Sequence, residues 1–224
     1  MINAGWLRAG APPRPGGPPT AHRKSARRLA IQYGADLALA FVIGLLDASA
    51  ILVPLGRHTS AAFTGRDAVL VATLSVLGTV GVAVAGALDL APTLRWFVPG
   101  HEPDSGQRQA AMNLARHQAI ILLGAWAVTG GISLALNSAP GALLLPILLG
   151  VLFGGPAAAG TGLLLTQRIL RPITVAATRG SELRVALPGV FARLVMLWFL
   201  CSALPIGVIT TLVVLRSYGW LIDR

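Results

Sequence analysis

Cysteine and acidic residues are scarce in this chain of 224 residues. Cys201 is the single cysteine, which excludes an internal disulfide framework and cysteine-rich metal sites. Only 12% of the residues are charged, whereas about a quarter are charged in a soluble domain. Together with 54% hydrophobic residues and a mean hydropathy of +0.72, this composition is typical of a membrane protein.

The first thirty residues lack the short apolar core of a cleaved signal peptide. They are rich in proline and glycine between Ala11 and Pro19 and then become basic. Such a composition cannot bury enough apolar surface to offset the entropy of ordering. We therefore predict a disordered cytoplasmic tail over residues 1–28.

Five long apolar runs follow the tail, and each is near the ~20 residues that a helix needs to cross a bilayer. In lipid every backbone polar group must be satisfied within its own segment, which predicts helices rather than strands. The predicted fold class is all-α: a polytopic transmembrane bundle of five membrane-spanning helices over residues 29–216, followed by an extracytoplasmic end at 217–224. The runs are Ile31–Val53, Ala68–Leu90, Ala119–Leu136, Leu143–Leu165 and Leu194–Leu215.

Basic residues fall mainly in alternate gaps between these runs. One side holds fourteen of the 18, and the other holds Arg57, Arg66, Arg216 and Arg224. Because basic loops stay in the cytoplasm, we predict a plasma-membrane protein with a cytoplasmic N-terminus and, after five crossings, an external C-terminus. The net charge of +10 comes from basic residues that lie mostly at the ends of the apolar runs. This placement predicts contact with the headgroups of the lipid bilayer and no binding of nucleic acid.

Asp36 and Asp47 in the first run are the intramembrane polar candidates, because ionisable groups within spans are commonly functional. Their spacing of eleven residues places them on one helix face. Since a lipid-facing aspartate costs about 3 kcal/mol at mid-bilayer, Asp47 is expected to face the bundle or the outer interface. Asp36 and Asp89 are expected to be solvated near the inner boundary. The partners open to Asp47 are Thr129, Ser133, Thr210 and Arg57.

Small residues recur every fourth position in the fourth run, at Gly150, Gly154, Ala158 and Gly162. Such a spacing predicts a helix-packing seam, because small residues let two backbones approach closely. The pattern leaves open whether the neighbouring helix belongs to the same chain or to a second copy.

No constellation for catalysis or metal binding is visible in the sequence. The four histidines lack partners at metal-ligand spacing, and His117 has no carboxylate at the adjacent positions of its own helix. No phosphate-binding glycine loop or nucleophile elbow occurs. We expect this chain to have no catalytic, metal or cofactor site.

Three segments contain a further ordered set of residues. They are Leu94, Arg95, Trp96, Pro103 and Arg108, then Leu170, Arg171 and Pro172, and then Leu187–Val190, Arg193, Trp198, Ser202, Pro205 and Gly207. In this order and spacing they resemble the N-terminal membrane domain of actinobacterial adenylate cyclases that carry a HAMP linker, and the likeness spans roughly residues 31–211.

The resemblance implies six membrane helices followed by a HAMP linker and a class III catalytic domain that makes cyclic AMP from ATP with divalent metal. This chain ends at Arg224 after five predicted spans, so none of the family's catalytic residues can be placed on it. Only the membrane part carries over: an anchor, a sensory or dimerisation input domain, a homodimer and a lipid-like ligand. An independent transporter or channel subunit, or a purely structural membrane protein, are the alternatives.

Overall fold

All regular elements are helical in the computed structural model, which describes residues 19–59, 65–136, 140–178 and 198–217. Three long helices come first: α1 (Pro19–Thr59), α2 (Gly65–Phe97) and α3 (Ser105–Leu136). A fourth rod consists of α4 (Pro140–Leu149), a π-helical turn (Gly150–Gly154) and α5 (Gly155–Thr178). A second π-helical turn (Phe199–Ala203) precedes α6 (Leu204–Ser217). The predicted all-α class is confirmed.

Four helical segments are long and apolar enough to cross a membrane: Lys24–Ala50, Gly65–Phe97, Ser105–Leu136 and Leu144–Thr178. The chain is therefore a multi-pass membrane protein. Of the five predicted spans, the last gives only a shorter apolar helix, Cys201–Val214. Residues 194–197, with which that span was predicted to begin, lie outside the described residues.

The predicted boundary of the N-terminal tail is wrong by about ten residues. α1 begins at Pro19, so residues 19–28 are helical, whereas residues 1–18 lie outside the described part. Proline suits a first helical turn because its missing N–H has no partner there. Ala26, Leu29 and Ala30 then pack against the hydrophobic core, and this burial favours helix within a basic segment. The predicted end at 217–224 lies outside the described residues except for Ser217.

The four rods form an antiparallel bundle in which each contacts its two neighbours in the order α1, α2, α3, α5. Gly78 and Gly86 of α2 lie against Phe41 and Leu37 of α1, which shows that these two helices run in opposite directions. α1 and α3 occupy diagonal positions. Their aromatic rings meet in the middle of the bundle, where the centroids of Phe41 and Trp126 are 5.4 Å apart.

The connection between α2 and α3 is short and tightly hydrogen bonded. Gly100, with φ of +76°, ends α2 in a Schellman motif, in which the Gly100 and His101 N–H groups donate to the carbonyls of Phe97 and Trp96. Asp104 then caps α3: its Oδ1 accepts from the Gln107 N–H at 2.7 Å, and Gln107 Oε1 accepts from the Asp104 N–H at 3.1 Å. α3 runs without interruption from this cap through residues 107–118 into the third apolar run.

Because the helices alternate in direction, basic residues from all four rods meet at one end of the bundle, here called the arginine-rich end. They are Lys24, Arg27, Arg28, Arg95, Arg108, Arg116, Arg168 and Arg171. Much of the buried core lies at this end, including Leu90, Leu94, Leu114, Ile169 and Ile173. Towards the other end α2 exposes apolar side chains such as Val69, Val76, Leu77 and Val84, as a lipid-facing helix does.

α6 packs against the outside of this bundle. Val208 and Leu212 surround Leu149 together with Leu145 and Phe153. The π-helical turn before α6 contacts α5, and Gly207 lies against the Phe153 ring farther back along the rod, so α6 runs antiparallel to it. Its remaining large side chains, including Ile206, Ile209 and Val213, are exposed.

Candidate functional site

A buried glutamine at the arginine-rich end joins three of the four rods. Gln118 of α3 is 1% exposed, and its Oε1 accepts a hydrogen bond from the Tyr33 hydroxyl of α1 at 3.3 Å. The Thr166 hydroxyl of α5 lies 2.8 Å from the same oxygen. Tyr33 and Thr166 are fully buried. Hydrogen bonds between side chains of different helices fix the relative register of those helices in a membrane bundle.

The polar atoms around Gln118 are not all satisfied. Its Nε2 is buried and has no hydrogen-bond partner within the part of the chain that the structure describes. The Thr166 hydroxyl also lies 2.8 Å from the Gly162 carbonyl, and a hydroxyl has one proton, so it donates to one of its two acceptors at a time. Gly162 makes room for this arrangement, because a Cβ there would stand 3.0 Å from Gln118 Nε2 and 2.7 Å from Leu122.

An ionisable pair extends the same cluster to the remaining rod. His117 Nδ1 of α3 lies 3.1 Å from Asp89 Oδ1 of α2. His117 is about half exposed, whereas Asp89 Oδ2 is buried without a hydrogen-bond donor. His117 directly precedes Gln118 on α3, so this pair adjoins the hydrogen bonds of Gln118. Tyr33, Asp89, His117, Gln118 and Thr166 thus form one group with members on α1, α2, α3 and α5, here called the polar network.

Of the two predicted intramembrane aspartates, Asp36 lies beside this network. It is half-buried on α1, one turn beyond Tyr33. The expectation that Asp36 is solvated near the inner boundary stays a prediction. Asp89 is paired with His117, which corrects its predicted role as a solvated helix end.

Asp47 is placed eleven residues farther along α1, away from the polar network. It is half-buried, as expected for a residue turned partly towards the bundle. Among the side chains that the structure describes, it makes no hydrogen bond or ion pair, so the proposed bonds to Thr129, Ser133 and Thr210 do not form. The side chain of Arg57 lies outside the described residues.

The four small residues of the fourth rod are all buried, and they pack within this chain. Gly162, Ala158 and Gly150 lie against Ala40, Gly44 and Ala48 of α1, respectively. Gly150 and Gly154 bound a π-helical turn, which inserts an extra residue into a helix and often occurs at functional sites.

Trp126 of α3 fills the space that these small residues leave in the middle of the bundle. A Cβ on Gly154 would stand 2.6 Å from its ring, and a Cβ on Gly44 would stand 3.0 Å from it. The indole Nε1 is buried without a hydrogen-bond acceptor. The mid-bundle core is consequently close-packed and almost entirely apolar.

The polar network was not predicted, because its contacts join residues that are far apart in the sequence. His117 and Asp89 are 28 residues apart, and Tyr33 and Gln118 are 85 apart. The available signal was the position of Asp89 and His117 at equivalent depths of two consecutive antiparallel helices. Among the described residues, no group of three or more His, Cys, Asp or Glu side chains could hold a metal ion.

The geometry links all four rods by side-chain hydrogen bonds to α3. The network holds four helices in one register, and its unsatisfied Asp89 Oδ2 and Gln118 Nε2 mean that a small relative movement of the helices could create new hydrogen bonds. No family model, no curated protein and no solved structure matches this chain.

Proposed function

We propose that this chain is the membrane anchor and the sensory or dimerisation input domain of an adenylate-cyclase-type signalling protein. The observation that carries the proposal is the polar network, which couples all four rods at the arginine-rich end. An input domain must pass a helix movement to a cytosolic effector, and an incompletely satisfied network shared by four helices supports two alternative arrangements. The ordered likeness to the HAMP-linked adenylate cyclases supplies the effector class.

In this proposal the arginine-rich end faces the cytoplasm of a plasma membrane, in keeping with the positive-inside rule. α6 with its preceding π-helical turn is the fifth crossing. From Trp198 to Ser217 the helical segment has 20 residues, which corresponds to about 30 Å at 1.5 Å per residue. The thickness of the hydrocarbon core is also about 30 Å, so a helix of this length can cross it.

The remaining parts of the proposal concern partners. The protein acts as a homodimer, because class III catalytic sites form between two chains, and a lipid-like molecule entering from the bilayer is its stimulus. This chain itself is not an enzyme. ATP and divalent metal belong to the catalytic domain of the family and not to any residue described here.

Production of cyclic AMP tests the proposal directly. The complete reading frame that contains this chain is expressed in a bacterium lacking its own adenylate cyclase. We expect cyclic AMP to accumulate, and we expect Gln118→Leu to change its level severalfold at equal protein amount. Thr73→Val, an exposed position on α2, is the matched control and leaves the level unchanged. A reading frame without a cyclase domain would contradict the proposal.

A transporter or channel subunit is the second candidate, and Asp47 is the observation that favours it. A half-buried carboxylate without a partner among the described side chains is a feature of ion-coupled carriers. Carriers bind substrate near the midplane, however, and here Trp126, Gly44, Gly154 and Ala158 close that region. Proton flux into vesicles that is lost in Asp47→Asn but kept in Asp36→Asn would favour this second function.

A further inference from the structure

Seven basic side chains are exposed at the arginine-rich end: Lys24, Arg27, Arg28, Arg95, Arg116, Arg168 and Arg171. None of them forms an ion pair within the part of the chain that the structure describes. Of the acidic residues nearby, Asp89 pairs with His117 and Asp104 caps α3, which leaves only Asp36 and Glu102 against the seven basic side chains. An excess of positive charge therefore faces outward at this level of the bundle.

Two of these arginines stand together at the edge between α1 and α5. Arg168 and Arg171 are three residues apart on α5, so their side chains leave neighbouring points of one helix face. On α5, Ala158 faces Gly44 of α1 and Thr166 faces Gln118 of α3. At about 100° per residue, Arg168 leaves α5 on the same side of Gly162 as Ala158, which is the side that borders α1. Ala40 lies opposite Gly162 across these antiparallel helices. At 1.5 Å per residue, Arg28 of α1 is consequently within about one turn of the level of Arg171.

This edge lies where the lipid-facing apolar surface ends. Farther into the bundle α1 exposes Leu39, Val42 and Leu46, whereas Gln32 and Arg28 are exposed beyond Asp36. A guanidinium group at such a boundary meets the phosphate layer of the membrane. Its planar donors match a phosphate by paired hydrogen bonds.

We propose that the α1–α5 edge binds the headgroup of an anionic phospholipid, with Arg168 and Arg171 holding the phosphate and Arg28 adding charge from α1. The site depends on the membrane embedding of the bundle but not on the cyclase assignment. Each arginine contributes about a fivefold preference for an anionic lipid, which corresponds to about 1 kcal/mol near a charged surface.

Lipid competition on the full chain tests this site. The protein is reconstituted in phosphatidylcholine vesicles that contain spin-labelled phosphatidylglycerol or spin-labelled phosphatidylcholine, and the relative association constant of the two probes is measured. We expect the wild type to prefer phosphatidylglycerol. The double variant R168Q and R171Q lowers that preference by roughly twentyfold. R168K with R171K lowers it less, because the charge remains while the paired hydrogen bonds of the guanidinium groups are lost.

Arg66→Gln together with Arg216→Gln is the matched control, since these exposed arginines lie outside the arginine-rich end. The control variant keeps the wild-type preference, and circular dichroism verifies that each variant retains its helical content. An R168Q and R171Q variant that binds phosphatidylglycerol as the wild type does would overturn the proposal. Complete displacement of the lipid by inorganic phosphate would overturn it as well, because the site would then bind a free anion.

If the variant with both R168Q and R171Q fails to fold, the salt dependence of the phosphatidylglycerol preference is measured on the wild type instead. A headgroup held by arginine charge loses its preference as sodium chloride screens the surface. A preference for phosphatidylglycerol that is unchanged by salt would contradict the site.

Discussion

At the scale of single residues, Gln118 is the side chain on which most of the buried polar contacts converge. It is inaccessible, it accepts from Tyr33, and its Nε2 remains without a partner. A buried amide of this kind costs free energy unless its bonds are made. Gln118 lies where α1, α3 and α5 meet, so its hydrogen bonds maintain the relative register of these three helices. The unpaired part of the amide lowers the stability of the bundle in return.

A double-mutant cycle on Gln118 and Tyr33 measures this contact. Tyr33→Phe and Gln118→Leu each remove one partner of the hydrogen bond and keep the approximate shape of the side chain. We expect a coupling free energy of about 0.5–1 kcal/mol, because hydrogen bonds between membrane helices are worth roughly this much. Reversible unfolding in mixed micelles gives the four values. Strictly additive effects of the two substitutions would show that no bond exists.

The histidine pair illustrates a contact that local sequence spacing cannot reveal. His117 has no carboxylate within a turn of α3, yet Asp89 reaches it from α2 because the two helices are antiparallel and joined by a short connection. His117 is half exposed, and exposed pairs contribute little to stability. Asp89, whose Oδ2 is buried, is therefore held more tightly by its surroundings than the half-exposed His117.

At the scale of helical elements, glycine decides how closely the rods approach. Gly44 of α1 was not singled out from the sequence, although it forms an Ala40, Gly44, Ala48 series at every fourth position. A Cβ on Gly44 would lie 2.8 Å from both Ala158 Cβ and the Gly154 carbonyl oxygen, which belongs to the backbone and cannot rotate away. α1 and α5 would have to separate to accept it.

We therefore expect Gly44→Ala to destabilise the bundle by about 1–3 kcal/mol through overpacking. Gly124→Ala is the matched control, because nothing lies within 4 Å of a Cβ at that position of α3. The control is neutral or stabilising by up to ~1 kcal/mol, since alanine favours helix over glycine. Thermal unfolding in detergent compares the two variants. Equal loss of stability in both would refute the close approach at Gly44.

The cap of α3 gives a second prediction for an element. Asp104→Ala removes the acceptor for the Gln107 N–H, and we expect a loss of about 0.5–2 kcal/mol in the local stability of the first turn. Hydrogen exchange of the amides at Gln107 and Arg108 measures it, and exchange should be faster in the variant. Glu102→Ala, an exposed acidic residue outside the cap, is the control. Unchanged exchange in Asp104→Ala would mean that the cap does not hold this turn.

At the scale of the whole molecule, the number of crossings decides on which side the chain emerges after α6. In a Cys201→Ala background, a single cysteine is introduced at Ser105 or at Ser217, both of which are exposed. If α6 crosses the bilayer, an impermeant maleimide labels Ser217→Cys in intact cells and Ser105→Cys only after permeabilisation. Labelling of both positions, or of neither, in intact cells would contradict five crossings.

Prediction from the sequence succeeded for features that depend on composition and failed for features that depend on partners. The helical class and four of the spans follow from the lengths of the apolar runs. These lengths depend on the thickness of the hydrocarbon core and not on contacts within the protein. The start of α1 was misplaced because Ala26 and Leu29 gain their stability from packing against other helices. Asp36 and Asp47 were identified as polar, but only the fold separates Asp36, which lies beside the polar network, from Asp47, which lies away from it.

The sequence by itself determined that this protein is a multi-pass helical membrane protein with its basic residues gathered at one end, because apolar length and charge placement act without reference to tertiary contacts. Only the tertiary structure decided that the small-residue seam closes on α1 and α3 of the same chain and that Tyr33, Asp89, His117, Gln118 and Thr166 meet. Those meetings depend on the rotation and depth of four helices relative to one another. Close packing around Trp126 and the hydrogen bonds to Gln118 together constrain both quantities, and no local pattern encodes them.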